Sequence, residues 1–163
     1  MQNNKLFYII GAIVILLIVG VGAFYMLGWN KGGTNVQYGL DGTKTYSNNE
    51  GSVTVGNSAT MPDNWPSDVP ANYSGAKILY SGNTNPETGT KGAAVSYTVE
   101  GGSVQAITDY YKSGLAAQGW KLEGNADMGG QTIIGATKDT RTFGVSILNS
   151  GNGTITVIAG LEL

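Results

Sequence analysis

Hydrophobic and polar residues follow three different spacings along this chain. Residues 6–27 form a continuous apolar run without a charged residue. Residues 103–119 place their apolar side chains three and four positions apart, which predicts a helix. Much of the sequence after residue 76 alternates apolar and polar positions, which is typical of strands in a sheet that is covered on one side.

The apolar run has the length and the ends of a membrane-spanning helix. At ~1.5 Å rise per residue, residues 6–27 extend ~33 Å, which is enough to cross the bilayer core. Lys5 and the free amino group favour a cytoplasmic N-terminus, so we expect a single-pass protein whose C-terminal domain lies outside the cytoplasm. Aromatic residues, which prefer membrane interfaces, lie at both ends: Phe7 and Tyr8 at the first, and Phe24, Tyr25 and Trp29 at the second.

A cleaved signal peptide is the competing interpretation of this run. Val21 and Ala23 would be the small residues that precede a cut after Ala23. The aromatic ends and the weakly charged start favour a retained anchor instead. A pilin-type leader would need a cut just before the run and an acidic residue soon after it, and neither signal is visible. The lipid bilayer is therefore the expected partner of residues 6–27, and cleavage stays open.

The following segments predict a tether and a stiff connection. Residues 31–60 contain few bulky apolar residues, which predicts a flexible tether, and within it TKTYS and SVTVG flank a Gly/Asn turn as the strands of a hairpin do. Residues 61–77, called the strap below, hold three of the four prolines and should be extended. Trp65 and Tyr73 would either contact a partner or clamp the strap over the core, and clamping is the favoured role.

The helical stretch carries its own start and stop signals. Ser103 is a suitable N-cap, and Gly119 is the expected left-handed residue after the end, with Trp120 folding back onto the helix. Asp109 falls off the apolar stripe and Tyr110 lies beside it. Asp109 is not a good catalytic candidate, because it has no His, Cys or second carboxylate nearby in sequence. The residues expected to face the core are Val104, Ile107, Tyr111 and Leu115 on the helix, and Val95, Tyr97, Val99, Phe143, Val145, Ile147, Ile155, Val157 and Ala159 on the strands.

Together these patterns predict an α+β fold with an N-terminal transmembrane helix, a flexible tether, and an antiparallel sheet covered by one main helix. The expected units are an anchor at 1–30, a tether with a hairpin at 31–60, and an extracytoplasmic domain at 61–163. Between QTIIGAT and RTFGVSIL, Asp139 and Thr140 should form a two-residue hairpin tip, which favours positive φ at both positions.

Four stretches of the sequence also carry a resemblance: DGTKTYSNNEGSVTVG, NWPSDVPANYSGAKIL, YTVEGGSVQAITDYYKSGLAAQGWK and DMGGQTIIGATKDTRTFGVSI. Through them, residues 41–163 resemble an uncharacterised module of small membrane-anchored or secreted bacterial proteins. Ser74 and Thr140 stand where members of that module usually have Pro and Gly, and these departures affect turn geometry. The resemblance implies an envelope-exposed α+β domain, and it implies no catalytic or binding residue.

Composition argues against several functions. A net charge of −2, with 12% charged residues and no long basic run, disfavours nucleic acid as a partner. The chain has no cysteine or histidine, so it lacks a thiol nucleophile and the commonest base and metal ligand. No nucleotide-binding or nucleophile motif is visible, so we expect no cofactor and no enzyme. Turn residues offer oxygen atoms to calcium without matching the twelve-residue calcium loop: Asn83, Asn85, Glu87, Asp63 and Asp68.

The sequence thus favours a membrane-tethered, extracytoplasmic interaction or ligand-binding domain that acts without catalysis. Trp65, Tyr73 and Tyr110 are the candidate contacts with a partner. One alternative is a subunit of a surface filament or assembly that packs through its N-terminal helix. A second alternative is an envelope hydrolase whose site the sequence does not reveal.

Overall fold

The structure of this chain, a computed structural model, describes residues 35–47, 51–84 and 91–163. In these ranges nine strands form one antiparallel sheet, and one helix, α1, packs on it. The elements are β1 Asn35–Tyr38, β2 Lys44–Ser47, β3 Ser52–Val55, β4 Lys77–Thr84, β5 Lys91–Glu100, α1 Val104–Ala117, β6 Lys121–Met128, β7 Gln131–Lys138, β8 Arg141–Asn149 and β9 Thr154–Glu162.

The predicted fold class is wrong, because the described part of the chain is mostly one large sheet with the order β1-β2-β3-β4-β5-β9-β8-β7-β6. Residues 35–55, expected within a flexible tether, supply β1, β2 and β3 and extend the sheet outward from β4. The hairpin predicted in that segment is present as β2 and β3. Tyr46 and Val53 lie opposite each other there and are both buried, which stabilises strands that would be marginal alone. The domain boundaries at residues 30 and 60 stay predictions.

The predicted transmembrane helix at residues 6–27 lies outside the described residues, together with its five interfacial aromatic residues. Across the ranges that the structure does describe, none of the helical sequence has both the length and the apolar character that a membrane span requires. The question of cleavage after Ala23 therefore stays open.

Helix α1 connects the middle of the sheet to one edge. The chain leaves β5, crosses β9, β8 and β7 as α1, and enters the edge strand β6. The predicted caps are confirmed, since the Ser103 side chain accepts a hydrogen bond from the Ala106 N–H and Gly119 has a φ of 78°. The Trp120 and Gly119 N–H groups donate to the Leu115 and Ala116 carbonyls, which is the Schellman arrangement.

The core lies between α1 and the sheet. The predicted apolar stripe of the helix is buried there, except that Val104 is only partly buried. All nine strand residues predicted to face the core are buried as well. Alternation therefore predicted the inward faces of β5, β8 and β9 correctly.

The hairpin between β7 and β8 differs from the expected geometry at its tip. The register is as predicted, because Lys138 pairs with Arg141 and leaves a two-residue tip. Asp139 has a φ of 54°, whereas Thr140 is not in a positive-φ conformation, so the prediction of positive φ at both positions is wrong for Thr140. The difference has a steric reason: a β-branched side chain resists the left-handed region, which Asp tolerates better.

Candidate functional site

The strap lies on the same side of the sheet as α1 and runs beside the helix. Pro70 of the strap meets Gly114 of α1, and a Cβ atom at position 114 would lie only 2.6 Å from the Pro70 Cγ. Glycine is therefore required for this close approach. Further along, the ring of Tyr73 stands edge-on to the ring of Tyr110, with 5.3 Å between the centroids. These contacts hold the second half of the strap against the helix.

Buried tyrosines join the strap to the helix and the sheet. The Tyr73 N–H donates to the Tyr97 hydroxyl (3.3 Å), and the Tyr111 hydroxyl donates to the Ala71 carbonyl (3.3 Å). The two hydroxyls lie 2.8 Å apart and share a hydrogen bond in which either oxygen can be the donor. Burial raises the pKa of Tyr97 to about 12 and that of Tyr111 well above its usual value. Both residues are therefore neutral at physiological pH, and the chain of hydrogen bonds is structural.

A cluster called the Asp68 clasp pins the first half of the strap to the β7–β8 hairpin. The Asp68 carboxylate accepts one hydrogen bond from the Lys138 Nζ (2.7 Å) and two from the Arg141 guanidinium (3.0 and 2.7 Å). The Asp68 backbone carbonyl accepts a further bond from the Trp120 Nε1 (2.7 Å). The Lys138 Nζ also donates to the Gln118 carbonyl at the end of α1 (2.8 Å), so the clasp joins strap, helix and hairpin.

The charges of the clasp stabilise one another. Hydrogen bonds from Arg141 first, and then from Lys138, hold the pKa of Asp68 well below its usual range. The hydrogen bond to Asp68 in turn raises the pKa of Arg141. The guanidinium group also lies 5.0 Å from the centre of the Trp120 ring, within the range of a cation–π contact. Asp68 and Arg141 are therefore charged at neutral pH, and the groups that bind the Asp68 carboxylate all belong to the fold itself.

Aromatic rings fill the space beneath the strap. Phe143 of β8 lies at the centre, with ring centroids at 6.4 Å from Trp65, 6.2 Å from Trp120 and 5.9 Å from Tyr111. Trp65 and Trp120 present edges to the Phe143 ring, which is a favoured geometry for aromatic pairs. This part of the interior is therefore packed core.

A polar cleft, called the strap cleft below, opens where the start of the strap passes over β3 and β4. Thr54, Ser81 and Val95 lie opposite one another on β3, β4 and β5, and Val95 faces the core. Thr54 and Ser81 therefore occupy the side of the sheet that bears α1. The cleft has a volume of about 90 Å³ and is lined by Ser52, Thr54, Thr60, Met61, Pro62, Asp63, Ser81, Gly82 and Asn83.

Hydrogen bonds fix the walls of this cleft. The Ser52 N–H donates to the Asn83 Oδ1 (2.6 Å), which joins β3 to β4 at the cleft floor. The Asn64 Nδ2 donates to the Asn83 carbonyl (3.3 Å) and to the Gly92 carbonyl (2.8 Å), which ties the strap to β4 and β5. The Asn64 Oδ1 is itself buried and has no hydrogen-bond partner among the described residues. Such an atom is usually satisfied by water or a ligand.

The three residues proposed to contact a partner lie along the strap and the helix. Trp65, Tyr73 and Tyr110 are each partly buried and pack against the main core. Tyr73 and Tyr110 touch each other, and partial burial raises the pKa of Tyr110. The buried part of each ring contacts the core. Contact between the exposed part of each ring and a partner stays a prediction. The interfacial residues Phe7, Tyr8, Phe24, Tyr25 and Trp29 lie outside the described residues.

The candidate calcium ligands do not form one group. Asp63 and Asn83 both line the strap cleft, whereas Asp68 belongs to the clasp. Asn85 and Glu87 lie outside the described residues. Within the described ranges, no three His, Cys, Asp or Glu side chains are grouped so as to hold a metal ion. Asp109 is exposed on α1 and accepts a hydrogen bond from Gln105, apart from both the cleft and the clasp.

Sequence reasoning missed the hydroxyl groups of the cleft. Ser52 and Thr54 lie two residues apart on β3, as Ser81 and Asn83 do on β4, so each pair shares one face of its strand. A usable signal was present, because these polar residues occupy the alternate positions that carry apolar side chains on β5, β8 and β9. The pairing of β3 with β4 was needed to show that the two polar faces meet.

Part of the chain is similar to a known protein family. A family model described as START domain-like matches residues 80–153, which run from β4 through α1 to the end of β8. No curated protein and no solved structure matches the chain. The match covers less than half of the sequence, fits a small module, and is consistent with a ligand-binding domain of unknown specificity. The strap and β3, which complete the cleft, lie outside the matched residues.

Proposed function

We propose that this chain is a non-catalytic ligand-binding domain that holds a small polar molecule in the strap cleft. The observation that carries the proposal is the run of polar side chains on the inward face of β3 and β4, where the other central strands place apolar ones. Polar groups on a covered face cost free energy unless they find hydrogen-bond partners. Some partners lie within the fold, since the Thr54 hydroxyl lies 3.1 Å from the Thr45 hydroxyl and the Asn83 Oδ1 accepts from the Ser52 N–H, and a polar occupant of the cleft would add hydrogen bonds to these.

The chemistry of the lining supports binding without catalysis. Ser52, Thr54, Thr60 and Ser81 contribute hydroxyl groups, Asn83 an amide and Asp63 a carboxylate. A hydroxyl group needs an adjacent base before it can act as a nucleophile, and histidine, the usual base, is absent from the chain. These residues are therefore suited to bind a ligand by hydrogen bonds. The START domain-like match is consistent with the same function.

We further propose that the domain works at a membrane surface outside the cytoplasm. The support is the sequence of residues 6–27, which is apolar throughout and has aromatic residues at both ends. Lys5 precedes this segment and favours a cytoplasmic N-terminus. Fractionation of cells, followed by protease treatment from outside, tests this part. A full-length chain recovered from the soluble fraction, or protected from external protease in intact spheroplasts, would contradict it.

Ligand binding is tested by NMR titration of the full-length chain, kept in solution with a mild detergent, against a library of small polar compounds. Binding at the cleft should shift the amide signals of Thr54, Ser81 and Asn83 before those of other residues. Thr60 is exposed at the cleft, so Thr60→Trp should block the cleft without disturbing the core, and these shifts should then be lost. Thr140→Trp, at another exposed threonine on the β7–β8 tip, is the matched control. The proposal fails if no compound shifts the cleft signals, or if Thr60→Trp leaves the shifts unchanged.

A further inference from the structure

We infer that the ligand of the strap cleft is neutral and rich in hydroxyl groups, as a saccharide is. This inference rests on the proposed function and adds to it the chemical class of the ligand. Three properties of the lining lead to it: the kind of hydrogen-bonding groups, the sign of the charge, and the small share of apolar surface.

Hydroxyl groups dominate the hydrogen-bonding capacity of the cleft. The hydroxyls of Ser52, Thr54, Thr60 and Ser81 can each donate one hydrogen bond and accept up to two. The Thr54 hydroxyl already shares one of these bonds with the Thr45 hydroxyl (3.1 Å). Lining groups of this kind are best matched by a ligand whose own groups both donate and accept, and several neighbouring hydroxyls meet that requirement. A ligand with acceptors alone, such as a phosphate, would use only the donor half of this capacity.

The charge of the cleft argues against anions. Asp63 is the ionisable residue among the nine that line it, and neither lysine nor arginine is among them. A carboxylate repels phosphate and carboxylate groups, whereas it accepts hydrogen bonds from two adjacent hydroxyls of a sugar.

Size and apolar surface restrict the ligand further. A volume of about 90 Å³ is well below the ~300–1,000 Å³ of pockets that enclose a drug-sized ligand, so a sugar ring would enter by one edge and stay partly exposed. Met61 and Pro62 give the cleft a small apolar patch that suits the C–H face of a sugar better than a lipid chain. Partial enclosure and few apolar contacts predict weak binding, with a dissociation constant on the order of 1 mM.

The experiment compares matched ligands in the same titration of the full-length chain. The probes are the methyl glycosides of glucose, galactose, mannose and N-acetylglucosamine, the 6-phosphate of each sugar, and cyclohexanol as an apolar ring of similar size. At least one neutral glycoside should shift the cleft amides with a millimolar dissociation constant. Its 6-phosphate should bind at least ~5-fold more weakly because of Asp63, and cyclohexanol should leave the signals unchanged.

Two variants test the residues that carry the inference. Asp63→Asn and Ser81→Ala should each weaken binding of the neutral glycoside by ~3–10-fold, as expected for one lost hydrogen bond. Asp63→Asn should also reduce the difference in dissociation constant between the glycoside and its 6-phosphate. Asp109→Asn, a matched change at an exposed site on α1, should alter neither value. Amide spectra of the free variants verify that each one folds.

The outcomes separate this inference from the proposal beneath it. If other polar compounds shift the cleft amides and no glycoside does, the saccharide class is wrong while ligand binding stands. The same conclusion follows if the phosphates bind as tightly as the neutral sugars. If no compound shifts those amides, the binding function and the ligand class both fail. A glycoside that binds wild-type and Ser81→Ala chains equally well would place the sugar outside the cleft.

Discussion

Replacing Asp68 by asparagine should destabilise the domain by ~1–3 kcal/mol at pH 7. The change keeps the size of the side chain and leaves the backbone carbonyl free to accept from the Trp120 Nε1. It removes the charge that accepts three hydrogen bonds from Lys138 and Arg141. These side chains are about a quarter exposed, so the loss should lie between that of a surface ion pair, ~0–1 kcal/mol, and that of breaking a buried one, ~3–5 kcal/mol.

The pH dependence of this loss has a definite sign. Hydrogen bonds from Arg141 and Lys138 lower the pKa of Asp68 in the folded state, so its contribution to stability is complete above the pKa of an unfolded aspartate, ~3.9. That contribution is lost as the pH falls below this value towards the folded-state pKa. The difference between wild type and Asp68→Asn should therefore be constant above pH ~5 and shrink below pH ~4. It should also fall in ~1 M salt, since the groups are partly exposed.

Urea unfolding followed by tryptophan fluorescence measures this difference on chains that begin at residue 31. Wild type and Asp68→Asn are compared at pH 7, at pH 3 and at high salt, with equal m-values as the sign that the denatured state is unchanged. Asp109→Asn, at an exposed helix position, is the control and should change stability by less than ~0.5 kcal/mol. Equal urea midpoints for wild type and Asp68→Asn at pH 7 would refute the role assigned to the clasp. A stability difference at pH 3 as large as that at pH 7 would refute it as well.

Two further predictions concern the helix end and the hairpin tip. Trp120→Ala should cost ~3–5 kcal/mol in the same urea assay, because the ring is 3% exposed and packs on Phe143; a loss below ~1 kcal/mol would show that the ring is outside the core. Asp139→Gly should raise the free energy of unfolding by up to ~1 kcal/mol by relieving its positive φ, with Asp139→Asn as the control for the lost charge. Thr140→Gly should instead lower it by ~0.5–1 kcal/mol, and the reverse order of the two glycine variants would contradict the observed tip geometry.

Local signals made the helix predictable from sequence. Ser103, Gly119 and Trp120 cap the ends of α1 through contacts with residues only a few positions away, so no knowledge of the rest of the fold was needed. The inward faces of β5, β8 and β9 were predictable for a similar reason, because alternation is a property of each strand by itself.

Features that depend on pairing across the chain could not be predicted in the same way. Residues 35–55 look like a tether because they contain few large apolar side chains, and only the free edge of β4 gives them a place in the sheet. Likewise, the sequence around Asp68 indicates only an ordinary turn residue, because its ion pairs with Lys138 and Arg141 form only in the folded chain. The strap cleft depends on two long-range contacts, the pairing of β3 with β4 and the passage of the strap over both strands. The sequence therefore identified only some of the cleft residues as candidate ligands.

The clasp also sets an order for events during synthesis. Asp68 is separated in sequence from Trp120 by 52 residues, from Lys138 by 70 and from Arg141 by 73, and all three partners are made after it. At ~5–20 residues per second, a ribosome needs ~4–15 s to reach Arg141 once Asp68 has been added. Until the β7–β8 hairpin has left the ribosome the strap has no hairpin to bind, and its aromatic residues are open to chaperones and proteases once they emerge. Because β9 is made after β8 and lies between β5 and β8 in the sheet, the domain should close only when β9 has emerged, as the last step of a slow, long-range folding reaction.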